Sequence, residues 1–220
     1  MEEYSGWGLW RRWVLANAGG VVAGAAAGGL SGIGVAIPCL PLFGYGAIAV
    51  GAVVGWLVFS ATLGGAQQLV LFPYSTLRWT RASLLGGMLA LALGFFAGGF
   101  FSPDIPSALR TGALGGALVG LAQWRELRRV AARAAIWAPA NALGWALGLA
   151  VAQIVGSYLP RPSGPPVGDH LLSDLIEAGG KPLLFGFLAA VVAAAVTGAA
   201  LLWMQRADCE LAGSAGSRAG

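Results

Sequence analysis

The chain has 220 residues and a formal charge of +4, with 57% hydrophobic and only 10% charged residues. Soluble domains carry roughly 25% charged residues, so this composition cannot clothe a water-facing surface. It excludes a soluble enzyme or a basic nucleic-acid-binding domain and leaves an all-α integral membrane protein, with the lipid bilayer as its first partner and no nucleic acid.

Residues 1–12 form a short N-terminal segment. It begins Met-Glu-Glu-Tyr without the basic run of a signal peptide, so no cleavage is expected. Between Arg12 and Arg78 there is no charged residue. That stretch is long enough for two crossings, since about 20 apolar residues at a rise of about 1.5 Å span the hydrocarbon core. Pro38-Cys39-Leu40-Pro41 divides it, because proline ends helices and suits turns. The first two helices are therefore predicted at 13–36 and 47–72. Further charge-free stretches predict helices at 79–101, 107–127, 134–158 and 182–205, the fourth needing Arg110 and Arg125 to snorkel to opposite interfaces. The membrane domain is thus 13–206, made of six transmembrane helices. No ten-residue alternation of the outer-membrane barrel kind is present.

The linker at 158–181 is stiffened by Pro160, Pro162, Pro165 and Pro166. After it, Asp169 can cap a short surface helix that Gly179-Gly180 would end. The only histidine, His170, lies here with Asp174 and Glu177; their helical spacing reads as a surface helix rather than a metal site. The tail, 207–220, has the Gly/Ser composition of a disordered segment.

A repeat runs through these helices. Trp13, Ala16, Asn17 and Gly20 recur as Trp137, Ala140, Asn141 and Gly144, and in degraded form as Trp79, Ala82, Ser83 and Gly86. An alternating pattern, Gly64, Gln67 and Leu71, recurs as Gly120, Gln123 and Leu127; at Gly198 the third copy has Leu201 and Gln205 instead. The spacing predicts three parallel two-helix repeats, 13–72, 79–127 and 134–205, with approximate three-fold symmetry. Gly20, Gly24 and Gly28, like Gly112, Gly116 and Gly120, stand four apart, the spacing at which helices approach closely in lipid. Trp13, Trp79 and Trp137 are expected as interface anchors. Asn17, Ser83, Asn141, Gln67 and Gln123 must face the bundle interior, because a lipid-facing amide would be unsatisfied. There they either bond across helix interfaces or surround a polar pocket.

Segments 120–129, GLAQWRELRR, and 137–148, WAPANALGWALG, resemble a group of uncharacterised multi-pass bacterial membrane proteins in which these two motifs recur. The resemblance supports the repeat and implies a bacterial membrane setting, but no activity.

Basic residues orient the chain. With the N-terminus inside, Arg11, Arg12, Arg78, Arg81, Arg125, Arg128, Arg129, Arg133, Arg206 and Arg218 are cytoplasmic, against Arg110, Arg161 and Lys181 outside. Both termini are then cytoplasmic in a bacterial inner membrane. Cys39 and Cys209 fall on opposite sides, so no disulfide is expected. The predicted membrane cores hold no ionisable side chain, and no cluster has metal-ligand or nucleophile geometry, so neither catalytic residues nor a cofactor are expected. The reading that follows is a non-enzymatic subunit or scaffold of a larger membrane assembly, with membrane-protein partners or self-association. The alternative is a carrier or binding module for a small uncharged or lipidic solute, walled by Trp56 or Trp145.

Overall fold

A computed structural model describes residues 6–71, 78–96, 104–158 and 171–218, with the side chains of 94–96, 171–183 and 208–218 left aside. The described residues are helical, with no strand: α1 (Trp7–Phe43), α2 (Gly46–Val70), α3 (Trp79–Phe96), α4 (Ile105–Leu127), a 3-10 turn (Ala134–Ile136), α5 (Trp137–Ser157) and α6 (Leu171–Arg218). Five of these carry segments long and apolar enough to cross a membrane, and α3 supplies a shorter apolar one, Trp79–Leu93. Each helix packs on its chain neighbours, and α1 also packs on α6, so the six close into a ring. The rim of that ring is apolar: Leu15, Leu30, Leu85 and Leu143 all point outward. Helices with small residues inside and leucines outside are the arrangement a lipid solvent requires. The molecule is a multi-pass membrane bundle.

The glycine rows explain how the helices come so close. On α1 the buried positions Asn17, Gly20, Gly24, Gly28 and Gly32 make one face, and its deepest part meets Gly51 and Gly55 of α2. A methyl group at Gly55 would lie 2.7 Å from the carbonyl oxygen of Gly28, and one at Gly51 would lie 2.5 Å from that of Gly32. Gly116 of α4 stands in the same relation to the Asn141 carbonyl of α5, at 2.5 Å, and Gly86 of α3 to the Val119 Cα of α4, at 2.6 Å. Gly19 and Gly29, by contrast, have open space where a side chain would go.

Three boundaries differ from the sequence expectation. The α1 helix runs through Pro38 and Pro41 to Phe43, and the break falls at Gly44, with φ +52° and ψ −132°. A residue with a Cβ is excluded from that region of the backbone, whereas proline merely removes one N–H and crowds the carbonyl one turn back. For α6, the helix starts at Leu171 and continues through Gly179-Gly180 and Pro182 into the crossing, so the separate surface helix is not formed. It also continues to Arg218, through residues whose composition suggested an irregular tail. Helix α4 starts where its cap dictates: Asp104 Oδ1 accepts from the Ser107 N–H at 2.7 Å, with Pro106 in the first turn. His170 lies outside the described residues, as do the side chains of Asp174 and Glu177.

Candidate functional site

Helices α3 and α5 open on Trp79 and Trp137, α1 carries Trp13 in its second turn, and the three rings meet inside the bundle. Trp13 and Trp79 are 6.2 Å apart between centroids, Trp13 and Trp137 are 5.6 Å apart, and Trp79 and Trp137 are 5.6 Å apart. All three pairs meet edge to face, at 80°, 73° and 65°. That geometry sets the positive ring edge against a negative face and adds about 0.5–1.5 kcal/mol per pair beyond simple burial. Their exposures are 1%, 0% and 0%, so the three rings face the bundle interior and not its outer surface. An indole at the headgroup level would keep its N–H wet; these three bury it and bond it to protein. Trp7, exposed at 71%, and Trp203 are left at the lipid-facing surface instead.

Each indole N–H reaches a side chain on the helix that comes before its own around the ring. Trp79 Nε1 donates to Gln67 Oε1 of α2 at 2.9 Å, Trp137 Nε1 to Gln123 Oε1 of α4 at 2.9 Å, and Trp13 Nε1 to Thr197 Oγ1 of α6 at 2.9 Å. The glutamine amides then bond within the next layer. Gln67 Nε2 donates to Asn17 Oδ1 at 2.7 Å; Gln123 Nε2 donates to Ser83 Oγ at 2.9 Å and to Gln67 Oε1 at 3.2 Å. Asn17 and Asn141 donate back to the carbonyls of Trp13 and Trp137, one helical turn earlier. Reversing either glutamine amide would set an NH2 group against an indole N–H, so the donors and acceptors fix each orientation.

The structure therefore brings together all five polar residues singled out from the sequence, on α1, α2, α3, α4 and α5, and adds Thr197 from α6. Asn17, Gln67, Ser83 and Gln123 bond one another, whereas Asn141 bonds the Trp137 carbonyl. Among the described residues no buried side-chain nitrogen or oxygen lacks a hydrogen-bond partner. Leu71, Leu127, Leu201 and Met204 pack against the three indoles and seal the layer. Beyond it the basic rim begins: Arg129 pairs with the buried Glu126 at 2.7 Å, and Arg128 and Arg133 lie over Trp124 and Trp203.

On the opposite side of the polar layer is a cavity of about 140 Å³ between α2, α3, α4 and α5. Gln67, Ser83, Gln123 and Asn141 form its floor, and its walls include Trp56, Phe59 and Trp145; Asn17 is not part of it. Trp56 is held there by its N–H, which donates to the Gly87 carbonyl at 2.8 Å.

Sequence reasoning missed Thr197 and Glu126. The first had a signal: Gly64, Gln67, Leu71 and Gly120, Gln123, Leu127 share a spacing that Ala194, Thr197 and Leu201 also have. The slot demands only a small residue and an acceptor for an indole, which Ala194 and Thr197 supply without a glycine or a glutamine. Glu126 had none, because a glutamate followed by arginines reads as part of a solvated loop.

No protein-family model, no curated protein and no solved structure matches this chain.

Proposed function

We propose that this protein is a non-enzymatic structural subunit of a larger assembly in the bacterial inner membrane, built as three parallel helical hairpins around an approximate three-fold axis. The observation that carries the reading is the use made of the interior polar groups. Amides, hydroxyls and indoles there hold one helix to another, and each interhelical bond of this kind is worth about 0.6–2 kcal/mol in a membrane. Most of the interior polar side chains are committed to such bonds, as a rigid frame requires.

The hairpin architecture is supported by the equivalent bonds of Trp79, Trp137 and Trp13 to Gln67, Gln123 and Thr197. The orientation, with both termini cytoplasmic, is supported by the position of the basic residues. Arg11, Arg78 and Arg133 stand next to the three tryptophan-bearing helix starts, so one end of the bundle is basic. A surface for a partner helix is offered by α1 and α2, where Gly29, Ile33, Ala36, Ile48 and Ala52 line an open apolar groove.

The test is purification in mild detergent from the native membrane, followed by native mass spectrometry. Partner subunits at fixed stoichiometry are the expected result; a lone monomeric chain sinks the proposal.

A further inference from the structure

The cavity above the polar layer is elongated along the helices. Its lining residues run from Gln67 to Trp56 along α2 and from Gln123 to Thr111 along α4. At a rise of about 1.5 Å per residue this is a length of roughly 16 Å along the helices. A volume of about 140 Å³ along that length has room for a slender chain. The walls are Trp56, Phe59, Leu63, Val119, Trp145 and Leu149, and no charged side chain lines it.

The floor is asymmetric. Asn17 Oδ1 and Ser83 Oγ each receive a glutamine N–H. On α6 the corresponding residue is Thr197, whose hydroxyl donates to the Ala193 carbonyl at 2.8 Å. Asn141 donates to the Trp137 carbonyl, and neither glutamine donates to it. Asn141 is only 4% exposed and lines the cavity. An amide oxygen at the wall of an apolar cavity suits one hydrogen-bond donor. A carboxylate, phosphate or ammonium head would be buried without a counter-charge, which costs far more than such a contact returns.

We propose that this slot binds one uncharged, slender amphiphile, in its simplest form a straight-chain alcohol. Its hydroxyl donates to Asn141 Oδ1 and its alkyl chain lies between Trp56, Trp145 and Leu149. The site stands independently of the subunit reading, since a structural bundle can hold a resident small molecule.

The probe is decanol carrying a photoreactive diazirine in its chain, added to the full-length protein in lipid nanodiscs, with adducts mapped by peptide mass spectrometry. Saturable labelling at Val119, Trp145 or Leu149 is expected, competed by 1-decanol and much less by decane or decanoate. Gly115→Leu fills the slot without striking backbone, because a Cβ at Gly115 meets only the Ala90 Cβ at 3.6 Å; it should abolish that labelling. Asn141→Leu should weaken competition by 1-decanol by roughly three- to tenfold, as loss of one hydrogen bond predicts. Labelling that never saturates, is confined to lipid-facing Leu85 and Leu143, or survives Gly115→Leu overturns the proposal. So does equal competition by decane and 1-decanol in the unaltered protein, which needs no variant to fold.

Discussion

The indole N–H of Trp13 donates to the hydroxyl of Thr197, 184 residues further along the chain, at 2.9 Å. This bond joins the first helix to the last and closes the ring around the three tryptophans. Thr197→Val keeps the shape and removes the acceptor, leaving a buried N–H unpaired. It should destabilise the bundle by about 1–2 kcal/mol, whereas Thr197→Ser should stay near the parent. Thermal unfolding in detergent, followed by tryptophan fluorescence, reads the difference; equal midpoints for Val and Ser would show that the bond contributes nothing.

Gln123 makes three bonds in the layer, accepting from Trp137 and donating to Ser83 and Gln67. Gln123→Leu should therefore cost more than Thr197→Val, about 2–4 kcal/mol, because three partners on three helices lose a bond together. Combined with Gln67→Leu the effects should be less than additive, since the two amides share a bond. A double-mutant cycle measured by reversible unfolding in mixed micelles checks this, and strict additivity would mean the amides act separately.

The interior glycines should not tolerate even a methyl group. Gly116→Ala places a Cβ against the Asn141 carbonyl and should cost about 1–3 kcal/mol through forced separation of α4 and α5. Gly19→Ala and Gly29→Ala meet open space and should be neutral or stabilising by roughly 0.5–1 kcal/mol, the helix-propensity gain over glycine. Unfolding midpoints of the three variants rank the effect directly, and a tolerated Gly116→Ala would contradict the packing described here.

The orientation proposed for the bundle has a direct readout. In a background with Cys39→Ser and Cys209→Ser, Tyr45→Cys should react with a membrane-impermeant maleimide added outside intact cells. Tyr45 is 91% exposed between α1 and α2, at the end away from the arginines. Arg129→Cys should react only after the membrane is opened. The reverse pattern would place the basic rim outside and refute cytoplasmic termini.

By itself the sequence determined the class, because 10% charge and long uncharged stretches permit no water-facing surface. It also placed six helices, and it picked out five of the six polar side chains that meet in the interior, because an amide in lipid must face protein. Tertiary structure alone decided what those residues do. Trp13, Trp79 and Trp137 looked like interfacial anchors since tryptophan commonly sits there, yet they are buried against one another, and only the ring closure by α6 brings them into contact. Thr197 shares the spacing of Gln67 and Gln123, but its role is defined by the indole that reaches it from α1, 184 positions away. The break after α1 followed Gly44 rather than Pro38 and Pro41, because a turn needs a backbone angle that proline does not supply. Asn141 receives no glutamine N–H, because a threonine on α6 stands where α2 and α4 carry glutamine. That difference of side-chain length matters only once the helices are packed.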